Sequence, residues 1–164
     1  MGGFITIDLL SRFNIECDKA ILDSGYLKPW TRFNAKIMSK LVSWGFRKLI
    51  KGKSNLIIEK TMQTSMGYCF KKEDLCLDAT KVTLKNSEYS CLTYQLPELS
   101  KLGNMSVEYW YGKKDKNMIE GMKELKKQLP NMKEICFGDY GHGEFMFEYS
   151  EEYADMVIKS VKNC

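Results

Sequence analysis

Apolar residues recur along the chain at two kinds of spacing, and each kind predicts a different element. Stretches with a period near 3.6 predict amphipathic helices at residues 2–13, 31–50, 118–129 and from about 150 onward. Compact runs of apolar residues, bounded by glycine, proline or polar turn residues, predict strands at 19–25, 105–111 and 134–137. Between the second helix and the second strand the pattern is mostly helical, with stretches at 55–67 and 79–93.

Strands that alternate with amphipathic helices indicate a parallel sheet with helical crossovers. The sequence therefore predicts an α/β fold of about three parallel strands with flanking helices and one long helical insertion. We divide it into a core segment at residues 1–27, a helical insertion at 28–100 and a second core segment at 101–164. Three strands leave an open sheet edge, through which we expect self-association.

The composition is that of an ordinary globular domain, with 44% apolar and 28% charged residues. No apolar stretch is long enough to span a bilayer, and the first residues do not resemble a signal peptide, so we expect a cytoplasmic protein. The six cysteines are irregularly spaced and are expected to be reduced thiols. Since the chain contains one histidine and no C-x-x-C motif, we expect no metal site and no cofactor.

One segment differs in charge from the rest of the chain. The formal net charge is +4, yet residues 28–53 contain no acidic residue. The basic residues of this segment are Lys28, Arg32, Lys36, Lys40, Arg47, Lys48, Lys51 and Lys53. A basic amphipathic helix can lie on an anionic membrane or bind an acidic partner. More commonly such a helix packs on its own protein with the lysines in water, and we prefer that interpretation to a membrane surface. No segment resembles a nucleic-acid-binding motif, and no such partner is expected.

Two predicted loops hold candidate catalytic residues. Asp115 follows Gly112 after the second strand, and His142 lies between Gly141 and Gly143 after the third. Because the carboxyl ends of parallel strands meet at one edge of a sheet, we expect both side chains at that edge. A carboxylate beside a histidine is the orienting pair of a nucleophilic triad. The same residues also permit a structural interpretation, with a turn-forming aspartate and a histidine that has no catalytic role.

Possible nucleophiles within the chain fit this pair poorly. Ser65, in the Gln-Thr-Ser-Met-Gly run of residues 63–67, echoes a nucleophile elbow. Its leading glycine is replaced by glutamine, however, and no buried strand precedes it. Cys91 and Cys136 are not at a strand-to-helix turn, and buried cysteines are most often inert.

The two loops resemble those of a known family. Gly-Lys-Lys-Asp at 112–115 and Tyr-Gly-His-Gly-Glu at 140–144 resemble the acid loop and the histidine loop of the α/β-hydrolase fold. The start, Met-Gly-Gly at residues 1–3 with a helix, a strand and a helical segment after it, is similar to the part of that fold directly after the serine of a G-x-S-M-G-G nucleophile elbow. The resemblance is to capped serine hydrolases such as esterases, and it covers only the second half of their fold.

This resemblance implies hydrolysis of an ester or similar acyl substrate, with His142 as general base and then acid, and Asp115 orienting it. It places the serine just before Met1, whose backbone N–H would belong to the oxyanion hole. The chain as written would therefore lack its nucleophile and be inactive. The resemblance also implies that residues 28–100 form a cap. Its pocket would be lined by Trp30, Phe33, Trp44 and Phe46.

An alternative remains open at this point. The chain would then be a non-enzymatic binding or scaffold protein, whose basic amphipathic helix contacts an anionic membrane or an acidic partner.

Overall fold

Helices and strands alternate along the chain in the order that the apolar pattern predicts. The structure, a computed structural model, describes residues 2–13, 15–53, 80–102 and 105–162. The helices within these ranges are α1 (Gly2–Arg12), α2 (Arg32–Ile50), α3 (Lys81–Thr93), α4 (Lys116–Gln128), α5 (Glu144–Glu148) and α6 (Ser150–Lys162). The strands are β1 (Lys19–Asp23), β2 (Ser106–Tyr111) and β3 (Lys133–Cys136). The helical stretch predicted at 55–67 and the candidate residues Met1 and Ser65 lie outside the described residues.

The three strands form one parallel sheet with β2 in the middle. Leu22 of β1 is in register with Tyr109 of β2, which is in register with Glu134 of β3. The predicted α/β fold with three parallel strands is thereby confirmed. Since all three strands run the same way, their carboxyl ends lie along one edge of the sheet.

The two faces of β2 pack against different helices. On one face, the buried Tyr109 hydroxyl bridges the backbone carbonyl oxygens of Tyr26 (3.1 Å) and Met118 (3.2 Å). This contact fixes the start of α4 and the segment after β1 on the same side of the sheet. On the other face, the ring of Trp110 meets that of Tyr153 in α6 edge to face, with 5.5 Å between centroids. Helices on both faces therefore bury the middle strand.

Glu108 is a charged residue in the middle of this buried strand. Its carboxylate accepts hydrogen bonds from the Ser160 hydroxyl (2.8 Å) and the Trp110 indole (2.9 Å). Lys19 and Lys133 lie 3.4 Å and 3.3 Å from its Oε1. Burial by itself would raise the pKa of Glu108, but these hydrogen bonds and the Lys133 charge outweigh it and lower the pKa to about 2. The network joins α6 to all three strands.

The chain divides into two compact units, residues 1–28 with 95–164, and residues 29–94. The first unit contains the sheet, and the second falls within the predicted insertion at 28–100. In the second unit, the Thr31 side chain caps α2 by accepting from the N–H of Asn34. Among the described residues of this unit, α2 and α3 pack against each other through Met38, Val42, Phe46, Leu49 and Leu84.

The sequence pattern does not predict α5. This helix has five residues, too few for a helical period to be recognised, and it begins after Gly143, whose φ of 70° suits glycine. Within the described ranges, no helix combines the length and the apolar character that crossing a membrane requires.

Candidate active site

The loops after β2 and β3 are held together through their backbones. A Cβ atom on Gly112 would overlap the carbonyl oxygen of Tyr140, so only glycine allows this approach. The N–H of Lys113 donates to the carbonyl of Gly138 (2.8 Å), and that of Lys114 donates to Tyr140 (3.0 Å). The loop that carries Asp115 is thus aligned with the loop that carries the histidine.

Asp115 has a different partner at each carboxylate oxygen. It is the N-cap of α4, where Oδ1 accepts from the backbone N–H of Met118 at 3.4 Å. Its other oxygen, Oδ2, lies 2.7 Å from Nδ1 of His142. The Asp115 side chain is only 9% exposed. Helix capping therefore orients a nearly buried carboxylate toward the imidazole.

His142 lies in a turn that a neighbouring carboxylate closes. The Glu144 carboxylate accepts a hydrogen bond from the backbone N–H of Gly141 at 2.5 Å, and this bond closes the turn. An ionised Asp115 can only accept hydrogen bonds, so Nδ1 of His142 is the donor. In the neutral imidazole, Nε2 then keeps a lone pair. The imidazole is 41% exposed, so this nitrogen is within reach of another group. The arrangement can accept a proton at Nε2 and stabilise the resulting imidazolium.

A second carboxylate lies at the same edge of the sheet and was not among the predicted site residues. Asp23 ends β1, and the Tyr153 hydroxyl donates to its Oδ2 at 2.8 Å. Burial raises the pKa of Asp23, while the Tyr153 hydrogen bond and the nearby His142 oppose that rise. The signal available in the sequence was its place near the end of the strand predicted at 19–25, in a sheet predicted to be parallel. The next residue, Ser24, has a φ of 46°, which is strained for a residue other than glycine.

The structure brings Asp115 and His142 together but joins no nucleophile to them. Within the ranges that the structure describes, no hydroxyl or thiol is hydrogen-bonded to His142. Cys136 is exposed at the end of β3, and Cys91 belongs to α3 in the other unit. The described residues also contain no group of three or more His, Cys, Asp or Glu side chains that could hold a metal ion.

The four residues predicted to line a cap pocket do not share one face. Phe46 is buried in the core of the second unit, whereas Phe33 and Trp44 are exposed. Residues two positions apart point to different sides of a helix, so Phe46 cannot line a surface together with Trp44. Trp30 precedes α2, and its backbone N–H donates a hydrogen bond to the carbonyl oxygen of Leu92 at 2.8 Å. The predicted cap pocket stays a prediction, and the structure places Phe46 on the core side of α2.

Solved structures share this architecture over nearly the whole chain. MenH from S. aureus superposes with a TM-score of 0.66 at 14% identity, covering 98% of this chain and 65% of its own. The esterase EaEST from Exiguobacterium antarcticum superposes with a TM-score of 0.66 at 20% identity, covering 98% of this chain and 63% of its own. MGS-M2 is an α/β-hydrolase enzyme from a Medee basin deep-sea metagenome library. It superposes with a TM-score of 0.58 at 14% identity, covering 96% of this chain and 61% of its own.

The chain has the α/β-hydrolase fold. It spans less than two thirds of the length of each of these structures and so corresponds to part of the α/β-hydrolase fold, as predicted from the two loop motifs. The sequence itself matches no protein-family model and no curated protein.

Proposed function

We propose that this chain supplies the acid and the base of a serine-hydrolase triad, with Asp115 as the acid and His142 as the base. The observation that carries the proposal is the 2.7 Å contact between Asp115 Oδ2 and His142 Nδ1, at the carboxyl ends of adjacent parallel strands. A carboxylate that is 9% exposed is weakly screened by water, so its charge acts strongly on the imidazole.

The chemistry follows from the tautomer that Asp115 imposes. A hydroxyl that attacks an acyl carbonyl would transfer its proton to Nε2 of His142. Asp115 would stabilise the imidazolium through Nδ1, and the imidazolium would then protonate the leaving group. An ester or similar acyl compound is the proposed substrate, supported by the esterase whose fold the chain shares.

The nucleophile in this proposal comes from outside residues 1–164, and these residues alone do not hydrolyse esters. Two observations support this. The described residues place no hydroxyl on His142, and the solved structures with this fold are longer than the chain. We further propose that the second unit, residues 29–94, serves as the cap.

The acid–base pair can be tested without a nucleophile, because His142 is the only histidine in the chain. Nitrogen NMR is expected to show that the neutral form of the imidazole carries its proton on Nδ1 and not on Nε2. Diethyl pyrocarbonate acylates an unprotonated imidazole nitrogen, and its reaction with each chain is compared at a pH where the imidazole is neutral. We expect it to modify His142 several-fold faster in the wild-type chain than in Asp115→Asn, because the asparagine amide can donate to Nδ1 and leave the proton on Nε2.

Asp139→Asn is the matched control, because Asp139 is an exposed aspartate of the histidine loop whose partner is Lys113. It is expected to react like the wild-type chain. Equal rates in Asp115→Asn and Asp139→Asn, or a neutral wild-type imidazole with its proton on Nε2, would contradict the assigned roles.

The nucleophile is tested separately with a fluorophosphonate, which labels activated serines, and with a short-chain activated ester. Residues 1–164 are expected to remain unlabelled and to show no turnover above background. Labelling of a serine within the chain that is lost in His142→Ala would overturn this part of the proposal and leave the Asp115–His142 assignment intact.

A further inference from the structure

Helix α2 carries apolar residues on two opposite sides. One side, with Val42, Phe46 and Leu49, packs with Leu84 of α3. The other side presents four large apolar residues whose exposed fractions range from 46% to 72%. These residues, which we call the exposed stripe, are Phe33, Ile37, Leu41 and Trp44. Spacings of four, four and three positions align them along one surface of the helix.

Basic side chains accompany the exposed stripe. They are Lys36, Lys40, Arg47 and Lys48. Each lies three or four positions from a residue of the stripe, and no acidic residue occurs between positions 28 and 53. The Nζ atom of Lys48 is 5.6 Å from the ring centroid of Trp44, which is a cation–π contact. This surface of α2 is therefore both apolar and positively charged.

We propose that the exposed stripe seats α2 on an anionic phospholipid membrane, with the helix axis parallel to the surface. The stripe would enter the boundary between head groups and acyl chains, which is the depth that tryptophan favours. The lysine stems would follow the apolar surface while their ammonium groups reach the lipid phosphates. Charge complementarity selects an anionic membrane, since the charged residues of α2 beside the stripe are all positive. This proposal does not rest on the hydrolase assignment, and it assigns Phe33 and Trp44 to the membrane rather than to the predicted cap pocket.

Vesicles of two compositions test the proposal on the chain itself. One kind contains phosphatidylcholine with phosphatidylserine, and the other contains phosphatidylcholine alone. Co-sedimentation measures binding, and a blue shift of tryptophan fluorescence that is lost in Trp44→Phe reports transfer of Trp44 out of water. We expect binding to the phosphatidylserine vesicles that falls as salt is added, and little binding to phosphatidylcholine alone.

Two double variants separate the charged contribution from the apolar one. Lys36→Glu with Lys40→Glu reverses two charges beside the stripe, and Phe33→Ser with Trp44→Ser removes half of the stripe. Each is expected to weaken binding to the phosphatidylserine vesicles about tenfold or more. These side chains are exposed, so circular dichroism is expected to show unchanged helix content.

A matched control lies on α6, where the exposed Ile158 is next to a lysine. Ile158→Ser with Lys159→Glu makes the same kinds of change and is expected to bind like the wild type. If this control weakens binding as much as the α2 variants do, the effect is one of total charge and hydrophobicity, and the proposal fails.

Three further outcomes would overturn the proposal. The first is equal binding to both kinds of vesicle. The second is binding to polyglutamate but not to phosphatidylserine vesicles, which would assign the stripe to an acidic protein. The third is self-association without lipid that Phe33→Ser with Trp44→Ser abolishes, which would assign it to a second copy of the chain.

Discussion

Two carboxylates lie close together in the sequence at β2 and have opposite surroundings. Glu108, in the middle of the strand, is 4% exposed and meets a hydroxyl, an indole and two ammonium groups. Asp115, four residues after the strand ends, is 9% exposed and meets one backbone N–H and one imidazole. Depth of burial therefore does not distinguish these two carboxylates. They differ in the number and kind of their hydrogen-bonding and ionic partners.

The difference separates a residue that holds the fold from one that is available for chemistry. Four partners compensate the desolvation of Glu108 and leave its charged form strongly favoured. Asp115 has fewer partners, and the main one is an imidazole, a side chain that can transfer protons through its second ring nitrogen. We therefore expect substitutions at Glu108 to change stability and substitutions at Asp115 to change reactivity.

The largest expected effect is that of Glu108→Gln. Removing the charge leaves the buried Lys19 without its ionic partner, and we expect unfolding to become easier by about 3 kcal/mol at pH 7. Glu134→Gln is the matched control, because Glu134 pairs with Lys126 at a more exposed site and should cost less than about 1 kcal/mol. Urea unfolding of both variants measures the difference. Equal losses would mean that the Glu108 network contributes no more than a surface ion pair.

The same network gives a pH dependence whose sign is fixed by the lowered pKa. Glu108 contributes stability fully above its unfolded pKa of 4.5 and loses that contribution as pH falls toward about 2. The difference in unfolding free energy between wild type and Glu108→Gln is therefore expected to shrink across that range. A difference that stays constant down to pH 2 would contradict the assigned cause.

Gly112→Ala is expected to have the next largest effect. Its methyl group would overlap the Tyr140 carbonyl, and the two loops must separate at a cost of about 2 kcal/mol. The imidazole NMR signals of His142 are expected to lose their defined tautomer as well. Gly2→Ala is the control, since a Cβ there meets nothing within 4 Å. Retention of the wild-type His142 spectrum in Gly112→Ala would show that the close approach is not what positions the pair.

Asp115→Asn is expected to alter stability by less than about 1 kcal/mol, because asparagine caps a helix about as well as aspartate does. The loss of His142 reactivity described above should accompany this small change. A stability loss as large as that of Glu108→Gln would remove the distinction between the two carboxylates.

The smallest effect is expected for Asp23→Asn. Burial raises the pKa of Asp23, so its contribution to stability falls as pH rises above the ordinary value of 3.8, and asparagine has no charge to desolvate. Its side-chain oxygen can still accept from Tyr153. Stability at pH 7 is expected to stay the same or rise slightly, by less than about 1 kcal/mol. A clear loss at pH 7 would show that the Asp23 carboxylate is well compensated.

Much of the fold could be predicted from the sequence because its signals are local. Helical periods, turn residues and the alternation of strands with helices identified the parallel sheet. The same signals put Asp115 and His142 after neighbouring strands. The first helix, α1, begins and ends within a residue of its predicted bounds, and the last helix, α6, begins at the predicted position.

Other features depended on contacts between distant residues. The stripe and the core side of α2 both contain aromatic residues, so apolar periodicity could not tell that Phe46 faces inward and Trp44 outward. The importance of Glu108 could not be predicted either, because its partners Lys19 and Ser160 lie far away in the sequence.

The amino-acid sequence by itself determined the order of elements and the edge of the sheet at which the candidate residues appear, since both follow from backbone preferences and short-range spacing. Only the tertiary structure decided that Asp115 meets His142 at hydrogen-bond distance and that Asp23 lies at the same edge. The distance between the two loops is set by how closely their backbones pack, and they can pack this closely because Gly112 has no Cβ atom.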